Sequence, residues 1–168
     1  RYAGAAPVTL GQAGVSGLVD TAATVHWTGA LDGLSANFNA SLTAAIAARQ
    51  RTVAPIPVTG SVVARYQGDQ VTLTAARLAT PAETVTAQGA ISTGASGRAA
   101  IQVQWQSRDV AETETIAGRV AAGLGSAALP PLSLAGTATF AGTVSGALSA
   151  PRLDGHRAPA KLHFRGTA

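Results

Sequence analysis

Leu34-Ser-Ala-Asn-Phe-Asn-Ala-Ser-Leu-Thr-Ala44 alternates apolar and polar side chains without a break. Leu34, Ala36, Phe38, Ala40, Leu42 and Ala44 fall on one side of an extended chain, and Ser35, Asn37, Asn39, Ser41 and Thr43 on the other. A helix would scatter the same residues around its circumference, so the stretch reads as a β-strand with one apolar and one polar face. Gly17 to Gly29 reads as its antiparallel partner, and Leu31-Asp32-Gly33 supplies an Asp-Gly turn between the two.

The same period continues downstream. Val58, Gly60, Val62, Ala64 and Tyr66 alternate, Gln67-Gly68-Asp69-Gln70 reads as a turn, and Val71, Leu73 and Ala75 resume the pattern. The phase slips at Ala75-Ala76, which predicts a β-bulge, and Pro81 ends the strand that contains Leu78. Val85, Ala87, Gly89 and Ile91 form the next strand, and Thr93 to Gly97 a loop. Ala99, Ile101, Val103 and Trp105 then face away from Gln102, Gln104 and Gln106. Asp109 to Ala122 breaks the alternation. Val110, Thr113, Ile116 and Val120 recur at helical spacing, Asp109 and Glu112 have the spacing of a capping box, and Gly123 and Gly125 are placed to stop the helix. From Leu132 to Leu148 one parity is kept through Leu134, Phe140 and Val144, which fits either a hairpin turning near Ala141-Gly142 or one long strand. Pro151 to Gly155 reads as a turn, and Ala158, Ala160, Leu162 and Phe164 as the final strand. The reading is all-β: an antiparallel meander of about eight to ten strands with one short helix near 109–122.

Composition narrows the function classes. Only 12% of the residues are charged and 4% aromatic, while 46% are hydrophobic and 19 are glycine, so the apolar content rests on small side chains. No cysteine is present, which excludes disulfides, thiol nucleophiles and Cys-based zinc sites. The length of 168 residues suits a single unit, residues 1–168, and the start at Arg1 with no methionine reads as a segment of a longer protein. No apolar run reaches the roughly 20 residues of a membrane-spanning helix. The net charge of +4 raises the question of nucleic acid, but the arginines are scattered and the dense stretch from Arg152 to Arg165 lacks interleaved aromatics, so no nucleic-acid partner is expected.

Nothing assembles into a catalytic set. His26 lies in an alternating strand beside Trp27, and His156 and His163 have no third ligand near them. Asp32, Asp69 and Asp154 adjoin glycine or turn residues, and Asp109, Glu112 and Glu114 suit the positive end of a helix dipole. Gly142-Thr-Val-Ser-Gly146 lacks the glycine spacing of a nucleophile elbow. The expectation is a protein that is not an enzyme and that uses neither cofactor nor metal.

Several stretches taken together resemble one family. Leu134-Ala-Gly-Thr-Ala-Thr-Phe-Ala-Gly-Thr-Val-Ser-Gly-Ala-Leu-Ser-Ala-Pro-Arg-Leu-Asp-Gly155 is similar to a repeated phrase of the AsmA/TamB-like proteins of diderm bacteria. Pro57-Val-Thr-Gly-Ser-Val-Val-Ala-Arg-Tyr-Gln-Gly68 and Leu78-Ala-Thr-Pro-Ala-Glu-Thr-Val-Thr-Ala-Gln-Gly89 resemble the same proteins, as does the connection Ser107 to Glu112. The likeness covers most of Pro57 to Ala168. It implies a long sheet curled into an open groove with an apolar lining, held in the periplasm and anchored in the inner membrane by a region outside this segment. It further implies conduction of phospholipid between inner and outer membranes, or help in outer-membrane protein assembly. The implied partners are phospholipid acyl chains, an outer-membrane barrel protein and neighbouring β segments of the same chain.

On that reading the groove is lined by Leu34, Phe38 and Leu42 from the first clean strand, by Val62 and Leu73 from the next pair, by Ile101, Val103 and Trp105, by Leu134, Phe140 and Val144, and by Leu162 and Phe164. Small Ala and Gly residues between them leave room that a packed sandwich would fill. The alternative is a structural or adhesive extracellular β module whose apolar face closes into an ordinary core. An outer-membrane barrel would carry more aromatic residues than this chain has.

Overall fold

The computed structural model describes residues 2–10, 14–29, 33–48, 52–93, 97–124, 133–147, 150–157 and 161–164. They form one antiparallel sheet of ten strands: β1 (Tyr2–Leu10), β2 (Val15–His26), β3 (Ser35–Ile46), β4 (Ile56–Gln67), β5 (Gln70–Ala79), β6 (Glu83–Ser92), β7 (Arg98–Ser107), β8 (Leu134–Ala147), β9 (Ala150–Arg157) and β10 (Lys161–Phe164). One helix, α1 (Val110–Gly123), stands between β7 and β8. β1 to β8 lie side by side in chain order, and β9 and β10 pair with successive stretches of β8. The sheet is open, with β1 at one edge and β9 and β10 at the other.

Register gathers the apolar residues. Cross-strand partners share a face, so the pairs Val19↔Leu42, Leu42↔Gly60, Gly60↔Leu78, Leu78↔Val85, Val85↔Trp105 and Trp105↔Phe140 carry one apolar row across seven strands. The bulge is what keeps β5 in step. Val63 pairs with Ala75 and Ala64 with Leu73, so Thr74 is the extra residue. On the other side Thr74 and Ala75 together oppose Gln88, between the pairs Leu73↔Gly89 and Ala76↔Ala87. Without that insertion, Val71 and Leu73 would occupy one face and Ala76 and Leu78 the other. The tight turn at Gly68-Asp69 has φ of 54° and 57°, the left-handed pair of a two-residue hairpin.

Three local expectations are corrected. Residues 151–155 are not a turn but part of β9, paired with β8 from Ala147↔Ala150 to Phe140↔Arg157. β8 is a single strand of 14 residues rather than a hairpin, and its long outer side offers a ladder that overrides the turn chemistry of Pro151-Arg152-Leu153-Asp154-Gly155. Proline is tolerated there because the strand lies at an edge. The capping box also fails. Asp109 caps α1 by accepting from the Ala111 N–H at 3.1 Å, but Glu112 turns away and accepts from Thr80 Oγ1 and, at 2.9 Å, from the Ala82 N–H. Pro81 has no N–H, and the Ala82 N–H beside it has no ladder partner, so the carboxylate supplies one. Further, α1 runs through Gly123 and ends at Leu124, whose N–H reaches Val120 O at 2.9 Å. β1 had no counterpart in the sequence reading. The Asp-Gly turn at Leu31-Asp32, most of the loop 94–96 and Gly125 lie outside the described residues.

Packing is concentrated at one margin of the sheet, where β3, β5 and β7 end and β4, β6 and β8 begin. There α1 lies over the apolar face. Ala44, Ile46, Ile56 and Val58 are buried, with Val15, Leu42 and Ile116 of α1 packed on them. Arg119 Nη1 donates to Ile46 O at 3.0 Å and Ala54 O at 3.3 Å, and Glu114 accepts from the Leu134 N–H at 3.2 Å. Elsewhere one layer suffices: among the described residues no large side chain is fully buried.

Glycine supplies the remaining fit. Phe140 lays its ring over Gly142 and Gly155, where an added Cβ would stand 2.6 Å and 2.5 Å from ring carbons. At Gly142 the same Cβ would also meet Asp154 O at 2.8 Å, so ring movement alone cannot relieve it. Gly142→Ala is therefore expected to destabilise the chain by about 1–3 kcal/mol. Gly118→Ala, in α1 with open space around it, is expected to raise stability by about 0.5–1 kcal/mol. Urea midpoints of the two variants measure both effects.

Candidate functional site

The apolar face is half-buried at most positions and, among the described residues, is covered only by α1 at one margin. Phe38 and Leu78 remain 38% and 43% exposed although they share this face. Most charge is kept off it, the exceptions among the described strand residues being Glu83 and Arg157, the partner of Phe140. Asp20, Arg65, Arg77, Arg98, Arg152 and Asp154 all register on the opposite face. Antiparallel sheets often have one dry and one wet face, but here the dry face stays open over most of its extent.

Two hollows mark where that face is deepest. The first, of about 290 Å³, lies across β2 to β6 and is lined by Val19, Ala40, Leu42, Gly60, Val62 and Leu78, among others. Gly60 forms part of its floor: a Cβ there would stand 3.3 Å from both Leu42 Cβ and Leu78 Cδ1. The second, of about 190 Å³, continues it beneath α1. Leu78 and Val85 line both; Ile46, Val58, Trp105 and Ile116 add apolar lining to the second, and Thr80, Glu83 and Thr113 border it with polar groups. Together they make an apolar trough with α1 as one wall.

Glu83 closes the end of this trough. It is buried on the apolar face, opposite Ser107. Its Oε1 accepts from Ser107 Oγ at 2.9 Å and from Thr113 Oγ1, and its Oε2 accepts from Trp105 Nε1. Both oxygens accept hydrogen bonds, so this carboxylate is a tether that joins α1 to β6 and β7. Among the described residues no buried side-chain polar atom lacks a partner.

The residues singled out from the sequence are distributed unevenly over this geometry. Leu42 and Val62 line the first hollow, and Trp105 lines the second with its indole N–H held by Glu83. Phe38, Leu73, Ile101, Phe140 and Val144 share the apolar face outside both hollows. Val103 is on that face too and also borders a separate hollow with Gln102, Gln104 and Thr143. Leu134 begins β8 with the parity of Phe140, and Leu34 is half-buried one residue before β3. The side chains of Leu162 and Phe164 lie outside the described part of the structure. Sequence reasoning missed Val19, Leu78, Val85 and Glu83. Glu83 shares the parity of Val85 and Ala87, a signal that an acid begins an apolar row. His26 is exposed on β2, and no group of three His, Asp or Glu side chains comes together among the described residues. No helix among them is long and apolar enough to cross a membrane.

Glu83→Ala leaves three donors facing a dry site. It is expected to cost about 1–3 kcal/mol and to loosen α1, read as faster amide hydrogen exchange in residues 110–123. Glu83→Gln, which still accepts hydrogen bonds, is expected to lose less in both measurements. No protein-family model, curated protein or solved structure matches this chain.

Proposed function

We propose that this chain is a segment of a cell-envelope lipid-transfer protein and holds phospholipid acyl chains along its apolar face. The observation that carries the reading is a single-layer sheet whose apolar face, among the described residues, is walled by α1 and otherwise uncovered. A contiguous exposed apolar surface marks a binding site more often than a neutral one.

The chemistry of the face selects an aliphatic occupant. A peptide laid in the trough would bring N–H and C=O groups that need partners, and leaving them dry costs several kcal/mol in total. Ser41, Ser61 and Arg77 border the first hollow but register on the opposite face, so the side chains turned into it are Val, Leu and Ala, and the Glu83 carboxylate is already engaged by three donors. An acyl chain needs only removal from water, worth about 0.8 kcal/mol per buried CH₂. Its many rotamers suit a lining of small side chains better than a rigid ring system would.

The resemblance to AsmA/TamB-like proteins supports the same reading and extends it. On that basis the segment works in the periplasm, in a chain anchored in the inner membrane. Neighbouring β segments prolong its sheet, and an outer-membrane barrel protein receives its lipid or its assembly help. The role is conduction without covalent chemistry.

Native mass spectrometry of the 168-residue chain purified from a bacterial envelope, with extraction of bound lipid, tests the reading. Co-purified phospholipid is expected, and it is expected to fall at least tenfold in Phe38→Asp and Leu78→Asp. Both side chains are more than one-third exposed, so thermal midpoints should change little. A lipid-free, monodisperse and stable protein would overturn the reading and leave a structural module in its place.

A further inference from the structure

The margin of the sheet away from α1 carries a different chemistry. Gln70 pairs with Ser92, Arg98 with Ala147, Ala100 with Ser145, and Ser145 with Arg152. These residues project from the polar face and surround a hollow of about 880 Å³. Among the described residues no acidic side chain lines it. Asp154, two residues beyond Arg152, borders the neighbouring hollow with Gln102, Gln104 and Thr143.

Spacing leaves the two guanidinium groups on one face, both able to reach a point between them. β7 and β9 flank β8, and the two arginines are offset by two residues along it. Strand spacing and rise then put their Cα atoms roughly 12 Å apart, within joint reach of a small anion. The floor between them is Ala100, Ser145 and Ala147, all small. Two like charges held together over a neutral floor attract an anion between them. Arginine forks match the tetrahedral oxygens of phosphate in pairs, and the Ser145 hydroxyl on β8 between them is a further donor.

We propose that Arg98 and Arg152, with Ser145 between them, form a binding site for a phosphate-ester anion. The site lies on the face opposite the trough and goes beyond the acyl-chain reading without depending on it. Two sources share this chemistry: a phospholipid headgroup reaching round the margin, and a free phosphate.

Isothermal titration of the 168-residue chain with inorganic phosphate, and separately with glycerophosphoglycerol (a headgroup without acyl chains), tests the site. Saturable binding of at least one probe is expected. Arg98→Gln and Arg152→Gln should each weaken it at least tenfold, with unchanged thermal midpoints because both side chains are exposed. Arg98→Lys, which keeps the charge but not the fork, should fall between. Tighter binding of glycerophosphoglycerol supports the site and assigns it to a headgroup, and tighter binding of inorganic phosphate supports it as a free-anion site. Absence of saturable binding by both probes, or binding unchanged in both Gln variants, overturns the proposal. Neither probe has an acyl chain, so that result leaves lipid loading on the apolar face untouched.

Discussion

Every strand of an open sheet must present its apolar residues to the same side, and the rest of this molecule depends on how strictly that phase is kept. A slip of one residue would send a strand's whole apolar set to the wet face. From β1 to β4 the register is continuous. At β5 the sequence itself is out of phase, and the extra residue at Thr74 restores it. Leu78 then reaches the row that joins Leu42 and Gly60 to Val85 and Trp105. The apolar face is a property of the whole sheet, held by one irregularity at its middle.

A face of this kind needs a wall if it is to be a trough, and α1 supplies it through polar ties more than through bulk. Ile116 alone joins the buried cluster on β3 and β4 from the helix side. Around it, Glu112 binds the turn between β5 and β6, Thr113 binds Glu83, Glu114 binds the start of β8 and Arg119 binds two carbonyls near the β3–β4 connection. Hydrogen bonds to charged groups contribute about 1.5–3 kcal/mol each where they are shielded from water and less where exposed. Acids that suit a helix dipole on paper are spent on tertiary anchoring instead.

Local pattern made much of this legible. Residues 34–44, 58–66 and 99–106 alternate so cleanly that strand, face and partner follow from side-chain parity. The helix follows from its change of period and its Asp109 cap. What failed is what parity does not encode. Tyr2 to Leu10 is mostly Ala, Gly, Pro and Val, with little contrast between its faces, so β1 left no alternating signal. Pro151 to Gly155 has turn chemistry, and only the length of β8 as a waiting partner makes it a strand. Glu83 meets Trp105 and Thr113 from 22 and 30 residues away, and nothing near position 83 announces them. The docking of α1 over one margin is likewise a long-range event. The likeness to a family of groove-forming proteins supplied the curled open sheet as an expectation, and the fold agrees with it.

The clasp made by Arg119 also sets the order in which the chain can come together. A meander pairs each strand with its neighbour in sequence, so most contacts close short loops and form early at low entropic cost. Arg119 instead reaches Ile46 and Ala54, 73 and 65 residues back. That contact cannot form until the hairpin of β3 and β4 exists and β5 to β7 have carried the chain across. Once made, it closes a ring through β3 to β7 and α1, so opening any member of the ring also costs this contact. β1 and β2 lie outside the ring, so that edge of the sheet can peel while the interior stays shut.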